Sequence, residues 1–479
     1  MTSTMSASRS SFRWVVALTG IGSMMAALDT VVVSTALTTI HRHLHASVGE
    51  LEWTVNAYNL SFAVLMITAA ALGDRFGRRT LYAGGLALFA VASGACALAP
   101  NAGSLIAARA VQGAAAAAIV PVGLTLLSSA FPPEKRGAAI GMFSAVIGIS
   151  VALGPLLGGA VTHGLSWQWI FWLNVPIGLI AAPLALTRLS ESFGPNVSLD
   201  IPGLSLVTGA ALGVTWGLVR GNSAGWSSTE VVGTLAAGCA LAAAFVIFEL
   251  QARHPMVPMS LFRSRAFSAG NVAIFCTFAS LYSAVYFFPQ FLQNGLGYDP
   301  LAAGVRLIPW TVTFITVAPI AGMLADRIGE RPLMTTGLLL QGAGVAWVAA
   351  IAKPGAAYTS LLAPLILGGI GISMAIPAAQ NSVVGSVADD DIGKASGVNT
   401  MMRELGGVFG IAVAVAVFAG MGHYGTRLGF TDGFSPAVAA GAAFAIVGAA
   451  AATVLPGRRR APVPAVEIES LILEGEGVR

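Results

Sequence analysis

Four ionisable side chains interrupt otherwise apolar stretches of the chain: Asp29, Arg109 and the neighbours Arg403 and Glu404. A carboxylate deep in apolar surroundings is costly unless it is paired, hydrated or protonated, so Asp29 is a group at which a proton and a substrate can compete. A structural acid, hydrogen-bonded to a neighbouring helix, is the alternative. Arg109 cannot shed its proton, so its role is to shift and answer the charge of a nearby carboxylate, or simply to pair with one. Gln112 and Gly113 follow at i+3 and i+4 and share its helical face. Adjacent helical residues do not face each other, so Arg403 and Glu404 are each expected to find another partner, with Glu404 a second titratable site. This is the chemistry of proton binding and charge pairing. No nucleophile, base and orienting group can be assembled from these residues, so an enzyme is not expected. No G-x-x-x-x-G-K-[ST] phosphate loop occurs, so ATP hydrolysis has no machinery, and an ion gradient or downhill movement must supply the energy. No cofactor is expected.

Other features carry weaker signals. Gly154 and Gly158 form a small-xxx-small face around Pro155, which removes a helical hydrogen bond; close packing at a bend suits the closing of one side of a cavity. Tyr58, Tyr282, Tyr286 and Trp310 can stack on flat or cationic ligands, or anchor helix ends at the membrane interface. His41, His43 and His45 have a spacing compatible with a metal, but a solvated loop is the simpler reading, and no metal is expected. Cys96, Cys239 and Cys276 lie far apart in apolar segments and read as packing residues.

These residues must be held by membrane-spanning helices. Of 479 residues, 56% are hydrophobic and only 10% charged, against roughly 25% charge in a soluble protein. The mean hydropathy is +0.79. Apolar runs fall at about 14–36, 51–72, 80–99, 103–127, 138–162 and 169–187, then 203–220 and 231–250, then 267–291, 302–325, 332–352, 360–385, 396–420 and 436–455. At about 20 residues per crossing, the expectation is an all-α membrane protein of fourteen spans. A cytoplasmic segment 1–13 precedes a six-helix bundle, 14–190; two extra helices, 200–252, precede a second bundle, 262–456, and a cytoplasmic tail, 457–479. With the N-terminus inside, 18 of the 25 Lys and Arg fall on the cytoplasmic side and four (Arg42, Arg220, Lys353, Arg427) on the other. A miscounted helix would invert every later loop, so the split fixes an expected orientation with both termini cytoplasmic. The lipid bilayer accounts for the composition, and the net charge of +4 gives no reason to expect nucleic acid.

An internal repeat completes the reading. AALGDRFGRR after the second span and GMLADRIGER after the tenth place Asp74, Arg75, Gly77 and Arg79 in register with Asp326, Arg327, Gly329 and Arg331, with Arg78 of the first copy opposite Glu330 of the second. Such a coincidence is what two repeated halves give. Their charges can pair with helix ends in one state and release in the other, as a conformational latch at the cytoplasmic face. The loop resembles the G-x-L-A-D-R-x-G-R-K signature of the major facilitator superfamily. Four further stretches are similar to its fourteen-helix drug:proton antiporters. LDTVVVSTAL surrounds Asp29. LIAARAVQGAAAAAIVP carries Arg109, Gln112 and Gly113. The fifth span carries Gly141, Ser150, Gly154, Pro155, Gly158 and Gly159, with Ser150 in place of a Gly. WQWIFWLNVPIG enters the sixth. The resemblance implies two six-helix bundles plus two additional central helices, proton coupling through Asp29 and Arg109, an antiporter element in span five, and efflux of an amphipathic small molecule such as a drug or antibiotic. Dedicated export of one endogenous metabolite shares every motif. A non-transporting membrane sensor would show lost coupling residues or an added signalling domain, and neither is seen. Oligomeric state stays open, and a monomer is compatible with all of this.

Overall fold

The protein is described by a computed structural model, covering residues 2–131, 133–194, 200–253, 255–387 and 392–456, with the side chains of 2–11, 133–138, 140, 141, 144, 145, 326, 384 and 393 not described. The tail expected over 457–479 lies outside the described residues. Among the described residues, fourteen helices are long and apolar enough to cross a membrane. The first six are α1 (Phe12–Leu44), α2 (Val48–Phe76), α3 (Arg78–Ala97), α4 (Ala102–Ala130), α5 (Val146–Gly164) and α6 (Trp169–Arg188). Two follow, α7 (Ile201–Ala224) and α8 (Thr229–Gln251). The last six are α9 (Arg265–Gly295), α10 (Pro300–Ala325), α11 (Glu330–Ile351), α12 (Tyr358–Val383), α13 (Lys394–Met421) and α14 (Arg427–Ala452). Among the described residues there is no strand. In lipid only helices and closed barrels satisfy every backbone group, and this composition takes the helical route.

Local chemistry sets the ends. Ser47 and Glu50 form a reciprocal capping box at the start of α2, and Asn101 with Ser104 does the same for α4, satisfying amides that lack helical partners. Gly77, at φ +104°, separates α2 from α3, and Gly329, at φ +87°, separates α10 from α11. Both copies of the repeated loop therefore turn on a glycine in a conformation L side chains rarely adopt.

The repeat is also visible in the packing. In the first half α1 packs on α5, α2 on α4, and α3 on α4 and α6; in the second, α9 packs on α13, α10 on α12, and α11 on α12 and α14. Across the halves α2 meets α13 and α5 meets α10, an exchange that follows the same repeat. The extra pair pack on each other, and α7 lies against α2 and α13. The most apolar window of α8 is only 17% buried, and Val232, Val246, Ile247 and Leu250 face outward from it, as lipid-facing residues do.

Three expectations need correction. The last helix begins at Arg427, not near 436, because Thr426 caps the Gly429 amide (3.0 Å) and Pro436 is carried inside the helix. The second and eighth apolar runs are not free of charge: they hold Glu52 and Glu249, both buried. Arg403 and Glu404 do pair with each other, Nη2 to Oε1 at 2.7 Å. The arginine is long enough to fold around the helix, and that carboxylate has no nearer cation among the described residues.

Candidate functional site: a buried carboxylate and arginine network

Five helices converge on Asp29. Arg109 on α4 is wholly buried and Asp29 on α1 nearly so. Arg109 Nη1 donates to Asp29 Oδ2 and to Gln112 Oε1 (2.7 Å), while its Nε donates to the Thr54 carbonyl of α2 (3.0 Å). Gln112 Nε2 donates to Asp29 Oδ1 (2.9 Å) and to Ser93 Oγ of α3 (2.7 Å). Asn174 Nδ2 of α6 reaches Asp29 Oδ1 at 3.5 Å. The guanidinium lies 4.3 Å from the centre of the Tyr58 ring, a cation–π contact that is strong when desolvated. Sequence brings Arg109 and Gln112 onto one face, and the fold brings that face to Asp29.

The crossing of α2 and α4 depends on Gly113. A Cβ there would sit 2.2 Å from both the Tyr58 carbonyl and Ser61 Oγ, and Ser61 Oγ donates to the Ala110 carbonyl across the contact (2.8 Å). The glycine one turn from Arg109 thus lets the guanidinium reach Tyr58 and Thr54.

The span-five residues form a two-sided contact. A Cβ on Gly154 would lie 2.9 Å from Val31 Cβ, and one on Gly158 2.2 Å from Thr35 Oγ1, both on α1. A Cβ on Gly159 would meet the Pro300 carbonyl at 2.3 Å, and one on Gly304 the Pro155 carbonyl at 2.4 Å. One face of α5 therefore holds the helix that bears Asp29, and the other holds α10 of the second half. Ser150 is buried and its hydroxyl donates to the Val146 carbonyl (2.7 Å). The side-chain position of Gly141 lies outside the described residues.

At the Asp74 end, Arg78 Nε donates to Asp74 Oδ1 (2.8 Å), and Arg75 lies over the Phe76 ring. Glu191, which the sequence reading passed over, binds this loop: its carboxylate accepts from the amides of Arg79 (2.8 Å) and Thr80 (3.3 Å) and from the Thr80 hydroxyl (2.7 Å). Burial alone would raise the Glu191 carboxyl, but the Thr80, Arg79 and Ser192 hydrogen bonds and the Arg79 charge outweigh it and hold the group below the usual range. In the second copy Arg327 and Arg331 are exposed, and the side chain of Asp326 lies outside the described residues.

The four aromatic residues do not act alike. Tyr58 serves Arg109, and its hydroxyl donates to the Ala26 carbonyl (3.0 Å). Trp310 packs against Phe288, ring centres 5.4 Å apart. Tyr282 packs on Gly407 and, with Tyr58, lies within electrostatic reach of Glu404. The buried Tyr286 ring packs against Phe287, ring centres 4.9 Å apart, and its hydroxyl faces Gln290 and Tyr424. Arg306 sits at the opposite end from Asp74, stacked 3.7 Å over Tyr298 and 5.3 Å from Tyr358. His41 Nδ1 contacts the Ala46 carbonyl (2.7 Å) and His43 packs against Trp167.

The halves are joined by side chains at the end away from Asp74. Gln293 Nε2 donates to the Thr35 carbonyl (2.9 Å) and Asn294 Nδ2 to Thr38 Oγ1 (3.1 Å). Beside them lies a cavity of about 530 Å³ lined in part by Arg42, Tyr298, Asp299 and Arg427.

Comparison with known proteins agrees with this architecture. The model of the Major Facilitator Superfamily matches residues 19–411 and 270–470. The chain belongs to this family. It is 35% identical over 402 residues to the tetracenomycin C resistance and export protein of Streptomyces glaucescens, covering 83% of this chain and 74% of that one. It is 33% identical over 406 residues to the multidrug resistance protein Stp of Mycobacterium tuberculosis, covering 84% and 75%. Among solved structures, the xylose transporter XylE from E. coli superposes with a TM-score of 0.63 at 16% identity, covering 94% of this chain and 99% of that one. As a superfamily member the protein is a multi-pass membrane transporter of small molecules, not an enzyme.

Proposed function

We propose that this superfamily member is a proton-coupled antiporter that exports amphipathic, drug-like compounds across the cytoplasmic membrane by alternating access, with Asp29 as the coupling carboxylate. The observation that carries the reading is the buried Asp29–Arg109 pair. A proton taken up by Asp29 removes the anionic partner of a group that cannot neutralise itself, leaving Arg109 to the Gln112 and Thr54 oxygens and the Tyr58 ring. That imbalance biases one arrangement of α1 and α4 over another, and a substrate that takes the place of the proton reverses it. One charge crossing about 100 mV contributes about 2.3 kcal/mol, so one or two protons per cycle support concentrative export.

The names of the two relatives, one for resistance and export of tetracenomycin C and one for multidrug resistance, support an exported organic compound. The Lys and Arg asymmetry supports placing the Asp74 end in the cytoplasm, in which case the arrangement described here is closed to the outside by the Thr35 and Thr38 contacts. No cofactor is needed, and a monomer contains every group invoked. Dedicated export of a single endogenous metabolite is a second reading, favoured by the relative named for one antibiotic.

The test is efflux of a lipophilic cationic dye from proteoliposomes under an imposed pH gradient, wild type against Asp29→Asn. Gradient-driven efflux that the variant loses supports antiport through Asp29. A variant still driven by the gradient removes Asp29 from the coupling role, and a wild type that moves no dye but does move a member of a metabolite panel favours the dedicated exporter.

A further inference from the structure

A second buried carboxylate lies at the seam between the halves. Glu52 is fully buried on α2, and its Oε1 accepts from Asn56 Nδ2 at 3.0 Å. No donor among the described residues reaches its Oε2, and no cation among them pairs with it. The same Asn56 nitrogen reaches the Val408 carbonyl of α13, in the other half, at 3.4 Å. Glu52, Asn56 and Asn59 recur at i, i+4 and i+7, one face of the helix. Along it Glu52 Oε2, Asn56 Oδ1 and both polar atoms of Asn59 are buried without partners among the described residues. Just below, Leu60, Ala63 and Val64 pack with Val398, Met401, Leu405 and Val408 of α13.

The contrast with Asp29 is chemical. Asp29 has an arginine and two amides to hold its charge; Glu52 has one amide, itself shared with another acceptor. The surrounding groups do not compensate it. On its own helix Glu50 is occupied by the Ser47 cap. On α13, Arg403 is committed to Glu404, and Lys394 lies fourteen residues before Val408, about 21 Å along the axis; from α4, Arg109 is committed to Asp29 of α1. From α7, Arg220 pairs with Glu230. From α9, Tyr286 lies within electrostatic reach. An ionised carboxylate with no cation in a membrane interior is far costlier than a neutral acid. Parting α2 from α13 breaks the Asn56 to Val408 contact and opens the polar stripe to water, where the carboxylate is stable.

We infer that Glu52 is a second proton-binding site, occupied while α2 is closed against α13 and emptied when the two helices part. Its contribution to transport rests on the antiport reading; the binding and the linkage to helix separation do not.

The purified full chain, reconstituted in lipid nanodiscs, provides the test. Infrared difference spectra between neutral and alkaline buffer should show loss of a protonated-carboxyl C=O band in the wild type, and that band should be absent from Glu52→Gln. Spin labels on Arg42→Cys and Leu428→Cys, one from each half at the closed end, should move apart as the wild type is made alkaline and stay close in Glu52→Gln. Asp29→Asn should keep the band loss, which separates this site from the first. Should Glu52→Gln fail to fold, Glu52→Asp should shift the band. An unchanged band in the Glu52 variant overturns the proposal, as does a wild-type label distance indifferent to pH or a Glu52→Gln distance that responds as the wild type does. A wild type in which the gradient drives neither the dye nor any member of the metabolite panel would overturn the antiport reading and leave these two signals standing.

Discussion

The Asp29–Arg109 pair makes a quantitative demand on a double-mutant cycle. Arg109 is fully buried, and Asp29 is its anionic partner. Asp29→Asn keeps an oxygen and an amide in place but leaves the cation to two neutral acceptors and a ring. Breaking a buried pair by removing one partner costs about 3–5 kcal/mol; the Tyr58 face and the remaining acceptors put this case near the lower end, about 3 kcal/mol. Arg109→Gln should cost less, about 1–3 kcal/mol, because Asp29 retains the Gln112 and Asn174 donors and, unlike arginine, can become neutral by taking a proton. The double variant has no stranded charge and should return to within about 1 kcal/mol of the wild type, since replacing a whole buried pair is often neutral. Unfolding free energies in mixed micelles read the stability, and gradient-driven efflux in proteoliposomes reads the coupling. All three variants should lose coupling while only the singles lose stability. Additive losses, with the double as unstable as the two singles together, would refute the reasoning, because the two groups would then not depend on each other.

Two further outcomes follow from packing and from the loop at the Asp74 end. Gly113→Ala should lower the unfolding free energy by about 1–3 kcal/mol, since its Cβ would lie 2.2 Å from the Tyr58 carbonyl, whereas Gly148→Ala, with nothing within 4 Å, should not; equal behaviour in the same micelle assay would remove the close-crossing argument. Glu191 is held below its ordinary carboxyl value of 4.5, so its grip on the Arg79 and Thr80 amides contributes stability above that value and loses it as pH falls through the lower folded-state value. Protection factors at those amides, referred to the intrinsic exchange rate at each pH, should be high at neutral pH, lower in acid, and low at both in Glu191→Gln; protection that persists in the variant would count against the carboxylate as the anchor.

Much of this was legible because membrane helices advertise themselves by apolar length, and because a charge inside them stands out. Asp29, Arg109, Gln112 and Gly113 could be selected on those grounds, and the Asp74 and Asp326 loops by their repetition. What was missed shares a different physical character. Glu52 lies only four residues into its helix, where a charge reads as a boundary, although the Glu52, Asn56 and Asn59 spacing carried the signal of a polar face. Asn174 stood inside a recognised stretch but is neutral, and only the approach of α6 gives it Asp29 as a partner. Glu191 follows α6 in a polar connection, and nothing local says that it will cap a loop more than a hundred residues earlier. The Arg403 and Glu404 pair failed for the opposite reason, since helix geometry fixes where Cβ atoms point but not how far a long side chain can turn back.

The remaining step is how a proton at Asp29 can be felt where the halves meet. Asp29 and Thr38 are nine residues apart on one uninterrupted helix, about 13 Å along the axis and, at about 100° per residue, on opposite faces. One face of α1 holds the charge network of the first half; the other gives Thr35 and Thr38 to Gln293 and Asn294 of the second. Between these levels Val31, Val32 and Thr35 lie against Gly154 and Gly158 so closely that no side chain fits, and the far face of α5 is equally close to Pro300 and Gly304 of α10. Such contacts have no slack to absorb a small rotation of α1. In the proposed cycle, therefore, α1 need only tilt or turn slightly when Asp29 changes charge. Backbone-to-backbone contacts then carry that movement to α10 while the hydrogen bonds of Thr35 and Thr38 break or form. Coupling of this kind requires two discrete arrangements of a packed element rather than a chain of deformable side chains, and a glycine-lined crossing between a charged helix and the opposite half has the rigidity for it.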